Sequence, residues 1–250
     1  MPADGLLKHL NGLTLPDGRR RRLLQELEDN VDLTSPFLRT RNFDRIHPDD
    51  LRLLYELYDE FFFAGQLSKA VGRQPLSFRL SRRMTRAGGT TTQYRAQHRR
   101  RYEIAISTTL LFESFREPDA KLMVTGLECD SRLEALMRIM EHELIHLSEM
   151  LIWDDSSCSQ PRFQQIAAGV FGHRDHRHEL LTPSDTASQS GVRPGGRVRF
   201  DFDGHTYEGI VNRITRRATV LVAHPKGSRF SDGNRYLKFY VPVRDLKSVE

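Results

Sequence analysis

The strongest periodic pattern of apolar positions in the chain lies between Ser131 and Leu151. Apolar residues recur there at every third or fourth position, which predicts one long amphipathic helix with a buried face. The residues of this face are Leu133, Leu136, Met137, Met140, Leu144, Leu147 and Leu151. Ser131 followed three positions later by Glu134 has the form of a capping box, so we expect the helix to begin at this serine.

A second helical pattern lies upstream, between Asp49 and Gly65. Two aspartates open it and the glycine is expected to end it. Its broad apolar face consists of Leu51, Leu54, Tyr55, Leu57, Tyr58, Phe61 and Phe62. Nearer the N-terminus, the arginine run 19–22 and the leucines after it predict a basic, partly amphipathic helix that ends near Asn30. We therefore interpret residues 1–45 as a basic N-terminal extension.

Between the two apolar helices the pattern changes to alternation of apolar and polar residues, which is typical of half-buried strands. Three such runs are predicted, at residues 76–80, 89–94 and 102–107. Gly88-Gly89 marks a turn between the first two runs, and short connections predict an antiparallel or mixed sheet. A short helix is expected over residues 110–115, followed by a connection over residues 117–130.

Downstream of the long helix, a further helical pattern starts at Pro161, and Gly172 is expected to end it. Residues 182–195 are rich in small and turn-forming residues and predict a linker. Alternating runs then follow at residues 198–202, 207–214, 219–222 and 236–241. Such runs in a small module predict a closed β-barrel, because closure removes exposed strand edges. The predicted organisation is therefore a domain over residues 46–181, the linker, and a barrel over residues 196–250.

Composition and charge restrict the class of protein. The 250 residues carry a net charge of +5, with thirty-two arginines against six lysines. Arginine suits bidentate phosphate contacts and so favours a DNA or RNA partner, although a GC-rich genome also raises arginine content. The candidate contacts are Arg82, Arg83, Arg86, Arg99, Arg100 and Arg101. No apolar run is long enough to span a membrane and the N-terminus lacks a secretory signal pattern, so we expect a cytoplasmic protein.

The predicted long helix carries His142-Glu143-Leu144-Ile145-His146, an H-E-x-x-H motif. On a helix, His142 and His146 lie one turn apart on the same face, so both imidazoles can bind one metal ion. Glu143 lies about 100° away around the helix axis and can take a proton from a water molecule that the ion activates. The alternative is an amphipathic helix whose polar edge carries two histidines by coincidence.

The order of several motifs resembles the SprT-like (Spartan-like) family of zinc metalloproteases. The motifs are Phe63-Ala64-Gly65-Gln66-Leu67, Arg83-Met84, Gly88-Gly89, residues 104–111 and the H-E-x-x-H sequence. The resemblance covers roughly residues 50–171. It implies an α+β, zincin-like fold, a Zn²⁺ ion, peptide-bond hydrolysis and a role near DNA, because family members digest proteins that are crosslinked to DNA. The C-terminal module resembles the SH3-like or KOW-like barrels of translation and nucleic-acid proteins.

The third zinc ligand departs from the family pattern. The family places a histidine four residues before an aromatic residue at the start of the next helix, and Phe163 is that aromatic residue, so the position is Ser159. A hydroxyl group binds zinc poorly, whereas the neighbouring Cys158 offers a strongly binding thiolate. We therefore predict Cys158 as the third ligand, with His173 as the alternative.

The tail histidines His176 and His178 are further candidates for this ligand. A thiolate donates more charge than an imidazole and makes the metal a weaker Lewis acid, so slow or conditional activity is expected. The two cysteines, Cys129 and Cys158, are too few for a disulfide scaffold. We expect thiols or a metal ligand, and a single bridge between them stays open.

The predicted function is that of a zinc-dependent metalloendopeptidase of SprT type, with Glu143 as the base, acting on proteins associated with nucleic acid. One alternative is a non-catalytic, zinc-stabilised nucleic-acid-binding protein. A closed site with four protein ligands would favour that alternative. A peptide-binding adaptor that works through the barrel alone is a third hypothesis.

Overall fold

A computed structural model of the chain describes residues 2–97, 99–116, 121–177, 180, 182, 185, 187–188, 190–215 and 217–249. The chain forms two compact units, Met1–Leu180 (unit 1) and Leu181–Glu250 (unit 2). Unit 1 combines helices with a three-stranded sheet, and unit 2 contains a five-stranded antiparallel sheet. The protein therefore belongs to the mixed α+β class that the alternation of helical and strand patterns predicts.

The described part of unit 1 contains seven α-helices. They are α1 (Pro2–Leu10), α2 (Asp17–Thr34), α3 (Pro48–Phe63), α4 (Gln66–Val71), α5 (Thr108–Ser114), α6 (Arg132–Trp153) and α7 (Pro161–Ile166). A π-helical turn, Ala167–Phe171, continues α7, and Gly172 ends it with a φ of 74°. None of the described helices is both long and apolar enough to cross a lipid bilayer.

Helices α1 and α2 belong to the core of unit 1, which corrects the prediction of an N-terminal extension over residues 1–45. Their buried residues join the same apolar cluster as those of α3 and α6: Leu6, Leu10, Leu24, Leu27 and Val31. Helix α2 runs to Thr34, one turn beyond the predicted end, so Val31 completes its apolar stripe. In the arginine run 19–22, Arg20 turns inward and donates hydrogen bonds to the carbonyls of Leu15 and Val170 (2.8 and 3.2 Å).

Three strands form a mixed sheet in the order β1–β3–β2. Their bounds are β1 (Leu76–Ser81), β2 (Gly89–Ala96) and β3 (Arg99–Ser107). The central strand β3 pairs in parallel with β1 and antiparallel with β2. The mixed arrangement is one of the two that were predicted. Strand β3 starts three residues earlier than predicted, because the exposed arginines at its beginning do not disturb its pairing with β2.

The edge strand β2 lies close against helix α6. A Cβ atom at Gly89, the first residue of β2, would lie 2.7 Å from Oε1 of Glu143 and 2.8 Å from Cγ2 of Ile139. Because glycine has no side chain, the strand and the helix can approach each other at this point. The Gly-rich turn predicted from the sequence therefore sets the distance between the sheet and the helix that carries the H-E-x-x-H motif.

Helix α6 begins where the sequence predicts. The side chain of Ser131 accepts a hydrogen bond from the backbone N–H of Glu134 (3.3 Å), which satisfies one of the free donors of the first turn. The Glu134 carboxylate binds the backbone N–H of Asp130 (2.9 Å), so the capping box is only half formed. The predicted connection over residues 117–130 contains a short hairpin of β4 (Leu122–Val124) and β5 (Leu127–Cys129), whose strands are too brief to show alternation.

Unit 2 is built from a five-stranded antiparallel sheet in the order β10–β6–β7–β8–β9. Its strands are β6 (Arg197–Phe202), β7 (His205–Ile214), β8 (Ala218–Arg229), β9 (Arg235–Val241) and β10 (Lys247–Ser248). The pairing found in the described residues leaves β10 and β9 at the edges, so a closed barrel stays a prediction. Within the predicted linker 182–195, Ala187 and Val192 are buried in the core of this unit. That stretch is therefore in part a structural element of unit 2.

Candidate metal centre

The two histidines of the H-E-x-x-H motif converge. The Nε2 atoms of His142 and His146 lie 3.1 Å apart, and the ring of His142 is buried. This distance between the two Nε2 atoms is close to the roughly 3.3–3.6 Å that separates two ligand atoms of a tetrahedral zinc site, given the usual zinc–nitrogen and zinc–sulfur bond lengths. The ring of Phe163 packs against both imidazoles, with centroids at 4.8 and 4.6 Å, and restrains their orientation.

Cys158 joins the two histidines. The ligand atoms of His142, His146 and Cys158 all lie within 4.8 Å of one another, so the three side chains can hold a metal ion. The chain reverses direction after α6 because Asp154 adopts a left-handed conformation (φ 62°), and the following loop returns along the helix. Arg95 and Arg100 hold Asp154 through ion pairs of 2.8 and 2.9 Å. The sheet therefore fixes the loop that presents the thiol.

The second nitrogen of His146 is held by a chain of polar side chains. Its Nδ1 atom lies 2.7 Å from Oγ of Ser156, and this hydroxyl donates to Glu149 (2.6 Å). Arg162 donates to the other oxygen of Glu149 (2.6 Å), and the Glu149 side chain is fully buried. Because the Ser156 hydroxyl donates its proton to a carboxylate, the hydroxyl oxygen accepts a hydrogen bond from Nδ1–H of His146. The Nε2 atom of His146 then carries no proton and can bind a metal.

The sequence analysis did not identify Ser156 or Glu149. The only sequence signal for Glu149 is its position three residues after His146, which places both side chains on one side of the helix. No local pattern marks Ser156, because its role depends on the return of the loop after α6.

Glu143 is positioned beside the three candidate ligands and is almost fully buried. Its carboxylate accepts a hydrogen bond of 2.8 Å from the hydroxyl of Thr91 in β2. Burial raises the pKa of Glu143 to about 8, although the bond from Thr91 opposes the shift. A carboxyl group with a pKa in this range can both take up and release a proton near neutral pH.

Burial also alters the protonation of two candidate ligands. It lowers the pKa of His146 to about 4, so this imidazole is neutral and able to bind a metal at neutral pH. It raises the pKa of the Cys158 thiol above its usual value, so a metal must displace a proton from the sulfur. Cys129 and Cys158 are both free cysteines and form no disulfide.

The alternative ligands that the structure describes do not join the group formed by His142, His146 and Cys158. His173 is buried, and its Nε2 atom lies 2.7 Å from a carboxylate oxygen of Glu141 instead of joining the two motif histidines. Ser159 is exposed and its hydroxyl contacts that of Ser157 (2.9 Å). His176 lines the cleft around the candidate ligands, and His178 lies outside the described residues. Among the residues described, Cys158 is thus the predicted third ligand that reaches the site.

The predicted nucleic-acid contacts occupy two separate places. Arg82, Arg83 and Arg86 follow the end of β1, whereas Arg99 to Arg101 begin β3, which runs parallel to β1. The two groups therefore lie at opposite ends of the sheet, on either side of the six paired positions of β1 and β3. The five steps between the first and last of these positions span roughly 17 Å. In the second group, Arg100 pairs with Asp154 and Arg101 stacks on Tyr94 at 4.0 Å. The six arginines do not form one surface.

The candidate ligands lie in an open cleft with a volume of about 590 Å³. Strand β2 contributes Thr90 and Thr91 to its lining, and α6 contributes both histidines and Glu143. Comparisons of the chain with protein-family models, with curated proteins and with solved structures found no match. The chemistry of the cleft is therefore inferred from its own geometry.

Replacing Ser156 by alanine is expected to weaken zinc binding by about 10- to 100-fold, because His146 loses the contact that orients its ring. Competition against a chelator of known affinity measures this change. The matched control is Ser159→Ala, which removes an exposed hydroxyl from the same loop and should leave affinity unchanged. Equal losses in the two variants would contradict the assigned role of Ser156 and return Ser159 to the list of ligands.

Proposed function

We propose that unit 1 is a zinc-dependent metalloendopeptidase of SprT type with a zincin-like fold. The observation that carries the proposal is the convergence of His142, His146 and Cys158 beside a buried carboxyl group, Glu143, in an open cleft. Two imidazoles and one thiolate suit zinc better than the hard cations magnesium and calcium, which prefer oxygen ligands. Three protein ligands leave a coordination position for a water molecule or substrate, which is typical of catalytic zinc.

Each residue of the site has a separate role in the proposed hydrolysis. A zinc ion held by the three ligands would polarise the scissile carbonyl group and lower the pKa of a water molecule. Glu143 takes the proton from that water and returns it to the amine that leaves. The Thr91 hydroxyl holds one oxygen of Glu143, so the other oxygen can turn to the cleft. Ser156 keeps the His146 ring in the required tautomer.

The position of β2 supports a polypeptide substrate. Strand β2 is an edge strand of the sheet and contributes residues to the wall of the cleft. An edge strand offers unpaired backbone N–H and C=O groups, with which an extended peptide can pair. A substrate bound in this way would run past the candidate ligands without any need for a deep side-chain pocket.

We also propose that the substrates are proteins associated with DNA or RNA, and that unit 2 is an SH3-like barrel. The arginine excess and the exposed side chains of Arg82, Arg83 and Arg99 support contact with phosphate. The antiparallel strands and separate apolar core of unit 2 support the barrel. A salt-sensitive affinity for nucleic acid, lost on deletion of residues 192–250, would assign the contact to unit 2.

Metal removal tests the proposal. A chelator should abolish cleavage of a fluorescently labelled, unfolded protein, and added zinc should restore it. Cys158→Ala should weaken zinc binding by more than the roughly 10- to 100-fold typical of an outer partner of a ligand. Cys129→Ala, which removes the buried thiol outside the site, is the matched control and should retain zinc and cleavage. Undiminished cleavage after complete zinc removal would refute a metallopeptidase.

A second candidate is a non-catalytic, zinc-stabilised nucleic-acid-binding protein. The thiolate among the candidate ligands favours it, because cysteine is common in structural zinc sites. This candidate predicts that zinc removal unfolds unit 1 and that the zinc-loaded protein binds nucleic acid but cuts no polypeptide. Proteolysis that depends on zinc under native conditions would exclude it.

A further inference from the structure

The cleft around the candidate ligands is lined by positive side chains. Arg86 and Arg177 contribute to its wall, and both are exposed. Among the described residues that line the cleft, the only carboxylate is that of Glu143, which is 1% exposed. A bound metal cation would add to the positive charge. The cleft therefore attracts anionic groups and repels cationic ones.

Backbone hydrogen bonds fix Arg177 in this wall. The carbonyl of Thr125, in the turn between β4 and β5, accepts from the N–H groups of Arg174 and Asp175 (2.9 and 3.1 Å). The N–H of Thr125 donates to the carbonyl of Arg177 (2.8 Å). A Cβ atom at Gly126 would lie 2.8 Å from Cβ of Arg174, so the turn needs glycine to bring the segment this close. The position of Arg177 is set by the hairpin and does not depend on side-chain contacts alone.

The loop that carries Arg86 is anchored on both sides of this residue. Ser107 accounts for both anchors: its hydroxyl donates to the carbonyl of Met84 (2.7 Å) and its N–H donates to the carbonyl of Gly88 (2.8 Å). The nearby Asp175 does not line the cleft. Its carboxylate accepts from the backbone N–H groups of His176 and Arg177 and lies 3.3 Å from Nδ1 of His176, so it pairs with His176 and not with either cleft arginine. The two cleft arginines thus come from separate, anchored segments.

We propose that this cleft selects polypeptide segments with aspartate or glutamate next to the bond that is cleaved. The inference rests on the proposed peptidase function, since it names the class of substrate for the same site. Arg86 and Arg177 would pair with the acidic side chains of the substrate, whereas lysine or arginine at the same places would meet like charge. Charge at the cleft wall, rather than a deep apolar pocket, is then the determinant of specificity.

Peptide binding to the zinc-loaded Glu143→Gln variant tests the proposal without turnover. Three short fluorescein-labelled peptides differ only in a central pair of residues, Glu-Glu, Gln-Gln or Lys-Lys, and fluorescence anisotropy reports their affinity. The Glu-Glu peptide should bind about tenfold more tightly than the Gln-Gln peptide, and the Lys-Lys peptide most weakly. The differences should shrink as salt is added.

Adding Arg86→Gln and Arg177→Gln to this variant should remove the discrimination between the peptides. The matched control is Arg73→Gln, which neutralises an exposed arginine outside the cleft and should retain it. Equal affinity for all three peptides would overturn the proposal. The proposal would also be overturned if a single-stranded oligonucleotide bound through Arg86 and Arg177 while the three peptides bound with equal affinity.

Cleavage of the same peptides by the unaltered chain separates this inference from the proposed function. If affinity follows the charge of the peptides but none of them is cleaved, the peptidase proposal is refuted and the charge selectivity of the cleft is retained. Cleavage at equal rates for the three peptides would retain the peptidase and refute the acidic specificity.

Discussion

Replacing Glu143 by glutamine is expected to slow peptide hydrolysis by about two to four orders of magnitude while zinc stays bound. Glutamine has the same size and can still accept the hydrogen bond from Thr91, but it cannot take a proton from water. Glu143 is not one of the three candidate ligands, so metal affinity should change little. Initial cleavage rates and zinc content, measured on the same preparations, check both parts. A variant that cuts as fast as the unaltered chain would show that another group is the base.

The same substitution should stabilise the metal-free protein at alkaline pH. The pKa of Glu143 is about 8 in the folded chain, against an ordinary value of 4.5, so the folded state binds this proton more tightly than the unfolded state. Its contribution to stability is complete below pH 4.5 and is lost as pH rises through 8. Glutamine carries no charge at any pH and avoids this loss.

The expected signature is a difference in the free energy of unfolding between variant and unaltered chain that grows with pH. Its slope should approach roughly 1.4 kcal/mol per pH unit in the window between the two pKa values. Urea denaturation of the zinc-free proteins at several pH values measures it. A constant difference across this range would mean that Glu143 ionises in the folded protein as easily as in water.

Glu141→Gln is expected to destabilise unit 1 by about 3–5 kcal/mol, because it removes the negative charge of a buried ionic network and leaves the positive charge in place. The Glu141 carboxylate accepts from Arg138 (2.8 and 3.0 Å), from Tyr58 (2.9 Å) and lies 2.7 Å from Nε2 of His173. Burial alone would raise the pKa of Glu141, but Arg138 and His173 outweigh it and hold the pKa below its usual value. Without this carboxylate, the guanidinium of Arg138, whose side chain is only 18% exposed, has lost its counter-charge.

The matched control for this prediction is Glu128→Gln on the surface of the same unit. Glu128 pairs with Lys121 at 2.8 Å, but both side chains are about 60% exposed, so its loss should change the free energy of unfolding little. Urea denaturation of the zinc-free proteins gives both values. A Glu141 variant as stable as the Glu128 variant would show that the network contributes little.

Helix α6 and its two histidines were predictable because the information is local. A residue and its fourth neighbour on a helix share one face whatever the rest of the chain does, so the spacing of His142 and His146 implies their convergence. Strands β1, β2, β3, β6, β7 and β9 were likewise recognised from alternation, with errors of up to three residues at their ends, whereas β8 runs seven residues beyond its predicted end. Short elements such as β4 and β5 were missed, since three residues are too few to establish a period.

The third ligand illustrates where local patterns reach their limit. Cys158 was predicted from its distance to Phe163 and from the chemistry of sulfur, but its approach to the histidines depends on the turn at Asp154. His173 was the alternative donor in the sequence prediction. Its pairing with Glu141 follows from the packing of the segment after α7 against α6, which no spacing in the sequence reveals.

The sequence by itself determined the mixed α+β class, the long helix and the pair of histidines with its neighbouring carboxylate, because each depends on residues a few positions apart. Only the tertiary structure decided that α1 and α2 complete the core, that Ser156 and Glu149 hold His146, and that Arg86 and Arg177 share a cleft. These features join residues distant in sequence. Their contacts arise from side-chain packing and chain reversal, which depend on the whole fold rather than on any local period.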